Sequence, residues 1–198
     1  MQLITKYILS GTKRRSGLKL NGVKFIVAHD TGNPGSTALQ NANYYTSTPN
    51  EAEVSAHAFV DDTGVIEVVP DSEKAWHVRY TETIDNILFG GDANDYALGI
   101  ELCYGGKIDN IAAYRNYVEY IASKCIKFGL KSNNIAGHFQ LDPARRKDPI
   151  TALNTIGKTW DQFKQDVQFA IDKSNPQPVK DDKSEKIKQA IALLQSVL

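Results

Sequence analysis

The stretch Val23-Lys24-Phe25-Ile26-Val27-Ala28-His29-Asp30-Thr31 runs, almost without a polar break, into a Gly/Pro loop at residues 32–35. An apolar run of this length bounded by turn residues reads as a buried strand, here one that ends on a histidine. Strand-like stretches recur at residues 56–61, 65–69 and 96–102, with helix-like segments among them and a helical end. That alternation over the first two-thirds of the chain predicts an α/β domain. Taken alone, these segments reach one sheet with helices and no finer topology.

Local signals fill in the connections. Asp61-Asp62-Thr63-Gly64 reads as a hairpin turn, with Gly64 supplying a positive φ. Residues 36–47 fit a short helix that stops before Pro49. Residues 110–129 carry Ile111, Tyr114, Val118, Ile121, Cys125 and Phe128 at three- and four-residue steps, an amphipathic helix ending near Gly129. Another helix should start at Thr159, where Thr159 and Gln162 form a capping box and Trp160, Phe163, Val167 and Ile171 make the buried stripe.

Composition shifts at Ser174-Asn175-Pro176-Gln177-Pro178, so residues 1–173 are expected to form one domain and 174–183 an extended linker. Ser184 could cap a last helix over 184–198, with Ile187, Ile191, Leu194 and Leu198 along a narrow seam. That seam suits a partner helix, and so a homo-oligomer, or docking back on the domain; a frayed terminal helix is the plainer alternative.

Composition excludes more than it assigns. Twenty-three basic residues balance 23 acidic ones, which gives no argument for nucleic acid or an anionic membrane as partner. No run is long enough to span a bilayer, and the N-terminus lacks the pattern of a secretory signal. The chain is therefore expected to be made in the cytoplasm. Cys103 and Cys125 could pair; reduced, packed thiols are the expectation. Cys103 falls on the same strand face as Glu101, where a small buried side chain is expected rather than a ligand.

All four histidines, His29, His57, His77 and His138, lie in segments that read like parts of an active site. His29, His138 and Asp148 form a set that could hold one zinc ion. Two imidazoles and a carboxylate leave the fourth tetrahedral position open, the catalytic arrangement. Each residue alone has a plainer reading. A histidine near a strand end is often hydrogen-bonded structure, and Asp148 before Pro149 could form a turn.

Five ordered segments strengthen the case: residues 25–31, Val54-Ser55-Ala56-His57, Lys74-Ala75-Trp76-His77, Leu98-Gly99-Ile100-Glu101-Leu102, and residues 137–149, Gly137-His138 through Arg145-Arg146-Lys147-Asp148-Pro149. Together they resemble the type 2 N-acetylmuramoyl-L-alanine amidases. This zinc family includes phage cell-wall lysins, bacterial autolysins, a wall-recycling enzyme and the peptidoglycan recognition proteins. The resemblance implies a single mixed β-sheet flanked by helices, with peptidoglycan as the substrate.

Residue by residue, it implies that His29, His138 and Asp148 bind Zn2+ and that Glu101 handles the proton of the attacking water. Arg146 stands where many members carry a lysine thought to stabilise the oxyanion; Arg is a permanent cation of different shape. Ile150 replaces a glycine common after Asp-Pro, and Ala56 stands where some relatives have a tyrosine near the metal. Trp76 and His77 are expected to line the substrate groove. His57, which alternates with Phe59 on a strand, either joins them or satisfies a hydrogen bond in the core.

The implied reaction cleaves the amide between N-acetylmuramic acid and L-alanine. A phage or prophage endolysin that acts on the wall after release is the leading expectation. Recycling of soluble anhydro-muropeptides is the alternative, and a non-catalytic peptidoglycan-binding module a third reading.

Overall fold

The computed structural model describes residues 1–174 and, apart from these, only Gln195. The expected linker after Ser174 and the seam of the expected C-terminal helix, with any oligomer built on it, lie outside the described residues.

Six strands form one mixed sheet: β1 (Gln2–Thr5), β2 (Phe25–Asp30), β3 (Ala58–Val60), β4 (Gly64–Glu67), β5 (Ala97–Leu102) and β6 (Ile135–Gly137). Their order is β1-β4-β3-β5-β2-β6, with β3 and β4 antiparallel and the other neighbours parallel. Helices α1 (Ala38–Ser47), α2 (Ile84–Phe89), α3 (Ala93–Tyr96), α4 (Asn110–Phe128), α5 (His138–Leu141), α6 (Ile150–Asn154) and α7 (Trp160–Ser174) flank it.

The four expected strands and three expected helices are present with shifted ends. β1 and β6 were not anticipated. Both are edge strands of three or four residues, too short for a period to be read. The Asp61–Gly64 turn forms as expected, with the Asp61 carboxylate accepting hydrogen bonds from Thr63 N and Gly64 N. Gly64 has φ 148°, and a side chain there would also strike β1, since a Cβ would lie 2.2 Å from the Gln2 carbonyl oxygen.

β2 is buried at every position, as befits a central strand with both faces covered. Its side chains alternate. Ile26 and Ala28, with Ile100 and Leu102 of β5, join the large core beneath α4 and α7, whereas Phe25, Val27 and Ala97 belong to a smaller cluster on the other face. In the large core Tyr117 of α4 stacks on Phe163 of α7 at 5.5 Å, and Val167 and Ile171 continue the buried stripe. Ile111 departs from its expected place, being 71 % exposed. It lies six residues from Tyr117, about 120° away around the helix, so it points off the packed face. Cys103 and Cys125 are free, buried thiols.

Candidate active site

The smaller-cluster face of the sheet becomes polar at the strand ends. Register pairs His29 of β2 directly with Glu101 of β5, and equal parity puts both side chains on that face. His29 is held from behind as well: the Tyr117 hydroxyl donates to its carbonyl oxygen at 3.0 Å. His138 opens α5 immediately after β6, which pairs with β2. Phe139 N donates to the Asp148 carbonyl at 3.0 Å, fastening the segment that carries Asp148 to the one that carries His138. Asp30, next to His29, accepts from Gly32 N and Ala152 N, tying the strand end to its own loop and to α6.

These constraints converge three ligand atoms. Asp148 Oδ2 lies 2.9 Å from His29 Nδ1 and 3.0 Å from His138 Nδ1. Ligand atoms of His29, His138 and Asp148 all fall within 4.8 Å of one another. Two imidazole nitrogens and a carboxylate oxygen directed at one point are the donor set of a catalytic zinc site, so the residues fit the ion. Burial favours the neutral ring and brings His29 down to about 4, which leaves its nitrogen free to ligate at neutral pH. Burial alone would raise the Asp148 carboxyl, but its hydrogen bonds with His138 and His29 hold it far below the usual carboxylate range.

Glu101 is half-buried beside this set, and its Oε2 is buried with no hydrogen-bond partner among the described residues. Burial, then the charges of Asp148 and Asp30, push its carboxyl well above the ordinary value, with Arg146 opposing. A carboxyl so placed is poised to carry a proton.

His29, Glu101, His138, Arg146 and Asp148 line one open cavity of about 700 Å³ together with Trp76, Tyr45 and Arg79. Arg146 is exposed on the loop after α5, and among the described residues its guanidinium makes no ion pair. The neighbouring Arg145 is instead paired with Asp142. Trp76 is half-buried in the wall; its backbone N donates to Ser55 Oγ at 2.9 Å, and its ring leans on Tyr80 at 6.2 Å.

The two remaining histidines part company with the groove. His57 is 1 % exposed and does not line the cavity. Gly99 N donates to its Nδ1 at 3.0 Å, so its Nε2 carries the proton and donates to the Glu73 carbonyl at 3.0 Å. With both ring nitrogens engaged by backbone, His57 is corrected from a substrate-contact candidate to a bonded core residue. His77 does reach the cavity wall, yet it is buried and its Nδ1 lies 3.1 Å from His29 Nε2. Burial, then the neighbouring imidazoles of His29, His57 and His138, hold it well below the ordinary histidine value.

Asn94 and Gly99 were missed as parts of this site. Asn94 Oδ1 accepts from His77 N at 2.9 Å and from Val78 N at 3.1 Å. A Cβ on Gly99 would lie 2.5 Å from His77 Cγ, so only glycine admits that ring. The Leu-Gly-Ile-Glu-Leu segment held the signal for Gly99, a glycine inside a strand marking a close approach.

Comparison with known proteins agrees with this geometry. A family model described as N-acetylmuramoyl-L-alanine amidase matches residues 19–151. The chain is 33 % identical over 145 residues to a probable N-acetylmuramoyl-L-alanine amidase of Bacillus licheniformis, covering 71 % of this chain and 41 % of that protein. It is 30 % identical over 172 residues to the amidase CwlL of the same organism, covering 82 % and 48 %. It thus spans about half the length of these relatives, or less. The catalytic domain of XlyA superposes with a TM-score of 0.70 at 26 % identity, covering 84 % of this chain and 99 % of that one. A mutant endolysin from Bacillus subtilis gives 0.69 at 26 % identity, over 84 % and 99 %. The five ordered motifs, their convergence in one cleft and the family match lead to one conclusion: this chain belongs to the N-acetylmuramoyl-L-alanine amidase family.

Proposed function

We propose that this chain hydrolyses the amide between N-acetylmuramic acid and L-alanine in peptidoglycan, as the catalytic part of a wall-lysing enzyme of phage or prophage type. The observation that carries this reading is the convergence of His29, His138 and Asp148 on one point, with Glu101 on the adjacent strand facing the same cavity. A zinc ion, when bound by these three residues, supplies Lewis acidity that makes an amide carbonyl more electrophilic and a water molecule more acidic.

The chain's own groups do the rest. Glu101 takes the proton of the attacking water and returns it to the departing alanine nitrogen, a shuttle that its half-buried carboxyl, pushed above the ordinary value, suits. Arg146 has no ion-pair partner among the described residues and stands at the cavity wall, where its fixed charge meets the developing oxyanion. Trp76 offers an aromatic face against which sugar or peptide packs. The likeness to the XlyA catalytic domain and to an endolysin supports lysis over recycling.

The test is to incubate the purified protein with intact peptidoglycan and with soluble muropeptides. New N-terminal alanine and new reducing sugar are followed before chelation, after it, and after zinc is restored. Alanine release that vanishes with the chelator and returns with zinc, without reducing sugar, is the expected result, and it should be faster on intact wall. No alanine release from the zinc-loaded protein would overturn the proposal, and preference for soluble fragments would turn it toward recycling.

A further inference from the structure

We infer that His77 is a positioning residue that holds the His29 imidazole in the tautomer and plane a metal ligand requires, through a hydrogen bond from His29 Nε2 to His77 Nδ1. The inference rests on the metal site proposed above, and it removes His77 from the groove residues that meet substrate.

The roles within this pair follow from valence. An imidazole that ligates through Nδ1 gives that lone pair to the metal, so its one proton sits on Nε2 and needs an acceptor. His29 Nδ1 faces Asp148, and at 3.1 Å from His29 Nε2 the available group is His77 Nδ1. His77 must then be unprotonated at Nδ1 and carry its own proton at Nε2, which is buried and has no hydrogen-bond partner among the described residues. The two rings stand at 86° with centroids 5.2 Å apart, an edge-on approach that suits a nitrogen-to-nitrogen bond.

The fold fixes the His77 ring tightly for this task. Its main-chain N–H is held by Asn94, which is itself 1 % exposed. The ring occupies space that any side chain at residue 99 would fill. Behind it lies His57, with ring centroids 5.9 Å apart and its own tautomer set by Gly99 N and the Glu73 carbonyl. The second imidazole ligand lacks such support: His138 Nε2 is buried with no hydrogen-bond partner among the described residues. The two histidines of the metal set are therefore inequivalent, and His29 is the one held from outside.

The test measures zinc affinity by competition with a chromophoric chelator, and His29 and His77 tautomers by ¹⁵N NMR of the zinc-loaded protein. His77→Leu fills the volume but removes the acceptor, whereas His77→Asn returns an oxygen near the position of Nδ1. His77→Leu is expected to weaken zinc binding by about 10–100-fold, as loss of such partners does, and His77→Asn to restore most of it. Melting temperatures of the metal-free variants separate this effect from a loss of folding. In the wild-type protein, which needs no substitution, His29 is expected to be protonated at Nε2 with slow solvent exchange, and His77 at Nε2 only. Wild-type zinc affinity in His77→Leu, or a proton on His77 Nδ1 in the zinc-loaded protein, would overturn the inference and leave the metal site standing. Failure of the wild-type protein to bind zinc would overturn both.

Discussion

The two faces of the central strands β2 and β5 are built from the same backbone and serve opposite ends. On one, Ile26, Ala28, Ile100 and Leu102 meet Tyr117, Phe163 and Val167 in a dry core. On the other, apolar residues give way at the strand ends to His29 and Glu101, with His77 seated over Gly99. A shift of one residue in either strand would exchange the two faces, so the core that fixes the register also fixes the site. The polar face is a set of unsatisfied or neutralised groups that is tolerable only because the apolar face holds it in place.

This comparison predicts that damage to one face reads out as chemistry and damage to the other as stability. The largest effect is expected from Asp148→Ala, which removes the group that both imidazoles face; zinc binding and amidase activity should fall to background while the metal-free protein stays folded. Glu101→Gln comes next, with a loss of about 10²–10⁴-fold in turnover. On the opposite face, Phe163→Ala should cost about 3–5 kcal/mol in denaturant unfolding through the cavity left beside Tyr117. It should leave zinc affinity and the activity of each folded molecule unchanged, and a specific loss of turnover there would break the separation of the two faces. Arg146→Ala is expected to lower turnover by about 10²–10³-fold, with Arg146→Lys intermediate, because the site is built around a charge on an exposed loop.

The smallest effect sharpens the boundary between the faces. His57 belongs to the polar face by position but to the core by its bonds, and burial lowers it from 6.5 to about 4. Between these values the unfolded chain binds more protons than the folded one, so stability rises with pH. The contribution is fully present above pH 6.5 and is lost as pH falls toward 4, on the order of 3 kcal/mol in all. Urea unfolding of the metal-free protein across this window should show a steeper pH dependence for wild type than for His57→Gln, by up to one proton. Equal slopes would mean that His57 is not held neutral.

Much of this was legible because it rests on long or chemically unusual segments. The period of residues 110–129, the capping box at Thr159 and Gln162, and the run ending in His29 each carry enough residues to declare themselves. The cluster of His29, His138 and Asp148, proposed to hold the metal, was legible from residue types and, above all, from the resemblance of five ordered motifs. Edge strands β1 and β6 offered too few positions for a period. His57 and His77 show a different limit: two similar histidines near the same cleft took separate roles, decided by which backbone amide or ring nitrogen stood within 3.1 Å or less. Asn94 acts through its side-chain amide on a segment 16 and 17 residues away, a pairing that exists only once α3 has folded against β5.

The most direct test of the central claim is the zinc content and turnover of Glu101→Gln measured on the same preparation. The account predicts one zinc per chain, as in the wild-type protein, with alanine release from peptidoglycan lower by at least about 10²-fold. Wild-type turnover by the zinc-loaded variant would contradict it, for then the half-buried carboxyl opposite His29 would not be the group that moves the proton.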